Sequence, residues 1–155
     1  MKKYILHSVM VLVMITSVSC LSQPSELVLD KQNPAKQNAV LSFEGGFVVN
    51  KWNGVNIMDD LYGKGWWTWG DVILTFPSGN NSVTFNTAFS FWDARYEISG
   101  IELEYFFEAG RKYQIKGRRN TTSSTTAELF IEMYDVTRRS TLLREWKIGD
   151  VNKRR

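Results

Sequence analysis

Short runs in which bulky and polar residues alternate fill the chain between Ala39 and Asp150. The strongest lies at 82–91, where small or polar residues alternate with Val83, Phe85, Thr87, Phe89 and Phe91. Side chains of a β-strand point alternately to its two faces, so this bulky row occupies one face, and that face must be buried. Because no stretch of 12 or more residues has the period of an amphipathic helix, the pattern predicts an all-β fold.

Segments rich in turn-forming residues separate these runs and predict two hairpins. In the first, Pro77–Asn81 joins an alternating run at Val72–Phe76 to the strong run. In the second, Glu108–Arg111 joins Ile101–Phe107, whose odd-numbered residues are apolar, to Lys112–Lys116. We expect each pair of runs to be two neighbouring antiparallel strands of one sheet.

The spacing of the runs predicts how many strands the domain has. Asn53-Gly54 suits the positive φ angles of a type I′ turn between strands at Phe47–Trp52 and Val55–Met58. Roughly seven to nine strands at about ten-residue spacing predict a single antiparallel two-sheet sandwich of the Ig-like kind, with a closed barrel as the alternative. The sandwich domain is expected at residues 39–150, followed by a basic tail at 151–155.

The N-terminus has the pattern of a secretory signal. Lys2 and Lys3 precede an apolar stretch that runs from Tyr4 to Val18. This stretch is shorter than the roughly 20 apolar residues that span a bilayer. Residues 1–19 are therefore predicted to be a signal peptide rather than a permanent membrane helix.

The chain's one cysteine, Cys20, follows Ser17-Val18-Ser19, and this small-x-small sequence resembles a bacterial lipobox. The resemblance implies that Cys20 carries acyl chains such as palmitate, each stabilising membrane attachment by about 0.8 kcal/mol per buried CH2. A lipobox usually has Leu in place of Ser17, so ordinary cleavage after Ser19, with release of the protein, is the alternative. Leu21 stands where some lipoproteins carry an aspartate that retains them at the inner membrane, which by analogy favours the outer one.

The next segment and the charge distribution suggest a tether and a polarised domain. Residues 20–38 are mostly polar and contain Pro24 and Pro34, so beyond the acylated cysteine they are predicted to be a flexible linker. Residues 21–110 hold 5 basic and 11 acidic residues, whereas residues 111–155 hold 12 basic and 5 acidic residues. Opposite charge on the two halves favours self-association of copies, which salt would weaken.

The most unusual segment runs from Tyr62 to Asp71, with Trp66, Trp67 and Trp69 between glycines. Trp rings stack on sugar rings and on cations, so these three residues and Tyr62 are candidate ligand-binding residues of a carbohydrate-binding module. The competing interpretation is structural and has the stronger support from the alternation. In a strand, Trp67 and Trp69 share one face and enter the core.

Candidate catalytic chemistry is limited to carboxylates. His7, the chain's one histidine, lies in the predicted signal, so the domain sequence has neither an imidazole nor an internal thiol. Glu102 and Glu104 would lie roughly 7 Å apart on one strand face, a separation in the range that glycosidases use, but the alternation leaves that face in solvent. A catalytic residue is therefore not predicted.

Two further groups of charged residues have weak ligand signals. Asp59-Asp60 and Asp71 offer oxygen ligands, but they lack the spaced pattern of a calcium loop, so no metal site and no cofactor are predicted. The basic groups Arg118-Arg119, Arg138-Arg139 and Lys153-Arg154-Arg155 could meet anionic headgroups. The simpler interpretation is that they solvate strand ends.

Two segments resemble a known group of proteins. Phe76–Phe85 and Phe107–Ile115 are similar to paired hairpin patterns of small exported bacterial β-domains, including spirochaete-type lipoproteins, and loosely resemble PEGA-like surface modules. The resemblance implies a PEGA-like sandwich at the cell envelope and brings no catalytic residues.

From these features we expect a non-catalytic, lipid-anchored envelope protein with a binding or structural role. Its partners would be the membrane, through the anchor, and a glycan or another envelope protein, but not nucleic acid. The alternatives are a secreted carbohydrate-binding module that uses the Trp cluster and, third, a small glycan hydrolase.

Overall fold

The computed structural model describes residues 24–29, 37–63, 71–91, 94–123 and 126–152. Within these ranges most residues lie in ten strands and one short helix, which confirms the predicted all-β class. In chain order these are β1 Ser25–Val28, β2 Asn38–Phe43, β3 Phe47–Trp52, β4 Val55–Asn56, α1 Met58–Tyr62, β5 Val72–Pro77, β6 Gly79–Phe91, β7 Ala94–Phe107, β8 Lys112–Thr121, β9 Thr126–Asp135 and β10 Thr141–Asn152.

The strands of the described residues form two sheets. Sheet I has the order β1-β5-β2-β8-β9-β10, and sheet II has the order β4-β3-β6-β7. Sheet I is mixed, because β1 pairs with β5 and β2 pairs with β8 in parallel. The expectation of seven to nine antiparallel strands is corrected accordingly: the described residues form ten strands, and two of their pairings are parallel.

Aromatic rings from both sheets meet in one core. Phe43 of sheet I contacts Phe85 of sheet II with ring centroids 5.2 Å apart. Further along, Phe107 of sheet II packs between Phe76 and Tyr113 of sheet I, at centroid distances of 5.0 and 5.1 Å. Edge-on ring contacts of this kind add to the free energy gained by removing the rings from water. Each sheet therefore supplies the cover for the other's apolar face.

The predicted alternation is confirmed at most positions. Residues predicted to face inward are buried in β5 to β9, as for Val72, Leu74, Val83, Phe85, Leu103, Phe107, Ile115, Leu129, Ile131 and Met133. In β10, Trp146 and Ile148 are half-buried. The two sheets approach closely at Gly117 of β8, where an added Cβ would lie 2.9 Å from Cε1 of Phe89 on β6. A side chain at this position would require the Phe89 ring to shift.

The first predicted hairpin is wrong, because β5 and β6 belong to different sheets. Both edges of β5 are already occupied, one by β1 and the other by β2. The chain therefore crosses from sheet I to sheet II at Ser78 and Gly79, where Gly79 takes a φ of 121° that favours glycine. The Asn81 amide secures this crossing by donating to the Pro77 carbonyl at 3.0 Å and to the Gly79 carbonyl at 3.2 Å.

The second predicted hairpin is wrong for the same reason. β8 pairs with β2 on one edge and with β9 on the other, so β7 cannot join it. The turn at Glu108–Arg111 instead carries the chain from sheet II back to sheet I, and the Glu108 N–H donates to the Tyr113 hydroxyl at 2.9 Å. The third turn is confirmed: Asn53 and Gly54 have φ of 45° and 79° and join β3 to β4.

The ordered domain extends beyond the predicted bounds at both ends. Ser25–Val28, inside the predicted linker, forms β1 and pairs with Val72–Thr75 of β5. At the other end, β10 continues to Asn152, inside the predicted basic tail. A four-residue strand with a distant parallel partner leaves little periodicity in the sequence, which explains why the linker prediction missed β1.

Candidate functional site

Most of the sequence-predicted site residues lie outside the described part of the chain. Cys20, Trp66, Trp67 and Trp69 are among them. Tyr62 is described, and it lies at the end of α1 with its ring against the core. Its hydroxyl accepts a hydrogen bond from the Val49 N–H at 2.8 Å, and burial raises its pKa. Tyr62 therefore ties α1 to β3.

The aspartates that sequence analysis weighed as cation ligands have other surroundings. Asp59 and Asp60 are exposed in the first turn of α1. Asp71 accepts a hydrogen bond from the Gly45 N–H at 2.8 Å and fixes the turn between β2 and β3. Within the described ranges, no three His, Cys, Asp or Glu side chains come together in a way that could hold a metal ion.

The outer face of sheet I is a network of ion pairs. Arg118 of β8 bonds both Glu132 of β9 and Glu145 of β10, the latter at 2.6 Å, and its guanidinium lies 4.3 Å from the centroid of the Phe130 ring. The Tyr134 hydroxyl donates to Glu132 at 2.7 Å. Arg118, which sequence analysis considered for anionic headgroups, is therefore engaged within the domain.

Among the described residues, Glu132 is the charged residue that is buried. Its residue exposure is 7%, because Arg118 and Tyr134 lie over it. Burial alone would raise its pKa, but the hydrogen bonds from Tyr134 and Arg118 outweigh burial and lower the pKa. The hydrogen bonds that Arg118 donates to Glu145 and Glu132 raise the pKa of Arg118, with that to Glu145 contributing most. The charged forms of both groups are thus the ones that the fold favours.

A second ion-paired group continues the network along sheet I. Lys147 of β10 contacts Glu128 at 2.7 Å and Asp150 at 2.8 Å, and Asn120 donates to Glu128 at 3.0 Å. The hydrogen bonds from Lys147 and Asn120 lower the pKa of Glu128. Lys116 of β8 forms a further ion pair with Glu44, at 2.7 Å. The charges on this face therefore compensate one another.

The outer face of sheet II is different, and it contains an open cleft of about 650 Å3. We call it the Phe106 cleft; its lining residues are Asn53, Asn80, Asn81, Ser82, Glu104, Tyr105 and Phe106. The Phe106 side chain is the main apolar surface, with 60% of the residue exposed. Amide, hydroxyl and carboxylate groups surround the ring.

Strand register explains how the cleft is assembled. In the antiparallel β6–β7 pair, Asn80 stands opposite Phe106 and Ser82 stands opposite Glu104. Cross-strand neighbours on one face have Cβ atoms about 4.5–5.5 Å apart, so the four side chains form a compact group. The adjacent Glu102 continues the row and is exposed, as the alternation predicted.

Hydrogen bonds hold the rim of the cleft. The Asn53 amide donates to Asn81 at 3.1 Å, and its carbonyl oxygen accepts from the Ser82 N–H at 2.8 Å. Asn81 in turn is bonded to the crossing between the sheets at Pro77 and Gly79. These bonds fix the β3–β4 turn against β6 and give the cleft one defined wall.

Sequence reasoning missed Phe106, although a signal was present. In the run from Ile101 to Phe107, the even positions are Glu102, Glu104 and Phe106, so an aromatic residue stands where the polar face requires a polar one. Single apolar residues are common on protein surfaces, so this signal gains meaning only from the cleft that surrounds the Phe106 ring. Asn80 gave no comparable signal, since Asn is ordinary in a turn.

In comparisons with known proteins, no family model, no curated protein and no solved structure matches this chain. Among the residues described, no helix has the length and apolar character needed to traverse a bilayer.

Proposed function

We propose that this protein is a non-catalytic β-sandwich domain that is exported, is tethered to a bacterial envelope membrane through acylated Cys20 and binds an envelope component. The observation that carries the binding role is the Phe106 cleft, where an exposed ring stands beside amide, hydroxyl and carboxylate groups. Concave surfaces with convergent polar groups are places where ligands bind proteins. The N-terminal sequence that resembles a signal peptide followed by a lipobox supports the same envelope role.

The tether in this proposal is short. β1 begins at Ser25, five residues after Cys20, and five residues span at most about 18 Å. The Ser25 N–H donates to the Asp71 carbonyl at 2.9 Å, so sheet I holds the chain from the first residue of β1. An acylated Cys20 would keep the domain close to the membrane surface.

The cleft lies toward the other end of the strands. Ser25 stands opposite Val72 at the start of β5, and β5 runs about 17 Å to Pro77. From Pro77 the chain crosses to sheet II and reaches Asn80 of the cleft three residues later. In the tethered protein the cleft would therefore face away from the anchored end, where an envelope component is accessible.

Palmitate labelling of growing cells, followed by membrane fractionation, tests the anchor. We expect the wild-type protein to take up label and to sediment with membranes, and the Cys20→Ser variant to lose both properties. A Ser22→Ala variant is the matched control and should retain both. A wild-type protein that takes up no label, or a Cys20→Ser protein that stays in the membrane fraction, would contradict the proposal.

The second candidate is a carbohydrate-binding role, and the observation that favours it is again the Phe106 cleft. Sequence analysis derived this role from Trp66, Trp67, Trp69 and Tyr62. The Tyr62 hydroxyl is occupied by the Val49 N–H, and the three Trp residues lie outside the described part of the chain. Among the described residues, those of the Phe106 cleft therefore give the support for a sugar ligand.

A further inference from the structure

We propose that the Phe106 cleft is a binding site for a neutral pyranose oligosaccharide, with Phe106 as the stacking surface and with Asn80, Ser82 and Glu104 as the groups that bond sugar hydroxyls. This inference rests on the proposed binding role and names its ligand class. It does not depend on the acylation of Cys20.

Phe106 is mostly exposed to solvent, unlike its neighbour in the strand. The ring lies on a solvated strand face and is 60% exposed, whereas the adjacent Phe107 is fully buried in the core. Folding removes Phe107 from water but leaves most of Phe106 in contact with it, so the gain from covering Phe106 is still available to a ligand. A pyranose presents a flat set of C–H groups, which suits the electron-rich face of a phenyl ring.

The polar groups around the Phe106 ring differ in whether their side chains are already hydrogen-bonded. The side chains of Asn53 and Asn81 form hydrogen bonds with each other and with the backbone, so these two residues shape the cleft. Asn80 and Glu104, in contrast, form no side-chain hydrogen bond or ion pair with the described residues, and both are exposed. An amide both donates and accepts, and a carboxylate accepts, as neighbouring sugar hydroxyls require.

The cleft continues into a second hollow, which favours a chain of sugars over a single one. Glu104 also lines an adjacent hollow of about 320 Å3, together with Glu102, Arg144 and Trp146. The guanidinium of Arg144 lies 4.9 Å from the centroid of the Trp146 ring. A ligand that covers both hollows would extend across β7, the edge strand of sheet II, with Glu104 between two sugar units.

A cationic peptide is the other class of ligand that carboxylates could attract. Glu104 is the one acidic residue among the described lining residues of the Phe106 cleft, where amides and a hydroxyl provide most of the polar groups. In the second hollow, Arg144 compensates one of the two carboxylates of Glu102 and Glu104, which weakens the attraction for a cation. The balance of groups therefore favours a neutral ligand.

Titration of the full chain in detergent with chitotetraose and cellotetraose tests the proposal, by calorimetry and by saturation transfer from protein to sugar. We expect at least one of these oligosaccharides to bind the wild-type protein. The Phe106→Ala variant should bind about tenfold more weakly or not at all, and Asn80→Ala and Glu104→Gln should each weaken binding several-fold. The control is Leu142→Ala, because Leu142 is an exposed apolar residue outside the cleft, and it should bind as the wild type does.

Three results would overturn this proposal. The first is that neither sugar binds to the wild-type protein, although its thermal midpoint shows that it is folded. The second is that Trp66→Ala or Trp67→Ala abolishes binding and Phe106→Ala does not, which would move the sugar site to the Trp cluster. The third is that tetralysine binds in place of the sugars. Each is independent of the Cys20→Ser experiment, so loss of the anchor hypothesis and loss of the sugar hypothesis are distinguishable.

Discussion

The outer faces of the two sheets are both polar, but they use their polar groups in different ways. On sheet I, Arg118 and Lys147 each hold two carboxylates, and the network covers Glu132 almost completely. On sheet II, Glu104 has no such partner among the described residues, and beside it Phe106 stays exposed. Groups that already form hydrogen bonds or ion pairs within a protein are less available to a ligand, so the comparison distinguishes a stabilising face from a face whose Glu104 and Phe106 remain available.

The uneven charge along the sequence reflects the same difference between the two sheets. The basic C-terminal half forms β8 to β10, and three of its cations, Arg111, Arg118 and Lys147, pair with carboxylates of that same half. The acidic N-terminal part retains exposed carboxylates such as Glu102 and Glu104 on β7. Attraction between copies, which the sequence suggested, would therefore have fewer free cations available than a count of basic residues indicates.

The largest expected effect lies in the core that both faces depend on. Phe85 of sheet II contacts Phe43 and Phe47, and it is 1% exposed. Phe85→Ala should lower the free energy of unfolding by about 3–5 kcal/mol, because the variant loses the buried ring and leaves a cavity. Denaturant unfolding followed by Trp fluorescence measures the change. A variant as stable as the wild type would show that the two sheets do not share this core.

The sequence predicted burial well because burial depends on local alternation, as the positions of Phe85 and Phe107 illustrate. It predicted pairing poorly, since the turn residues at Ser78-Gly79 and Ala109-Gly110 specify a change of direction but not which edge is free. That information lies in partners distant in sequence, such as β1 beside β5 and β2 beside β8. The Phe106 cleft was missed for a related reason: the turn residues at Glu108–Arg111 predicted β8 as the partner of β7, whereas β7 pairs with β6.

An intermediate effect is expected for the ion-paired face. Glu132→Gln removes the charge that Arg118 and Tyr134 surround, and it should cost about 1–2 kcal/mol near neutral pH. Glu104→Gln, on the outer face of sheet II, is the matched control and should change stability by less than about 0.5 kcal/mol. Thermal unfolding of both variants beside the wild type measures the difference. Equal effects would remove the distinction between the two faces.

The pH dependence sharpens this comparison. The pKa of Glu132 is lowered in the folded protein, so its carboxylate stabilises the fold above its unfolded pKa of about 4 and loses that contribution as pH falls through the folded pKa. The stability gap between the wild type and Glu132→Gln should therefore be largest at pH 6–7 and narrow toward pH 2. A gap that stays constant over this range would mean that the charge of Glu132 does not contribute.

The smallest expected effect on stability is at Phe106, and its neighbour provides the control. Phe106→Ala should change the free energy of unfolding by no more than about 0.5 kcal/mol, because the ring is mostly in water in the folded state as well as in the unfolded state. Phe107→Ala, one residue later on the opposite face, should cost about 3–5 kcal/mol. Denaturant titrations of the two variants measure both values. If Phe106→Ala cost 2 kcal/mol or more, the ring would be contributing to folding, and the outer face of sheet II could not be the free surface that a ligand requires.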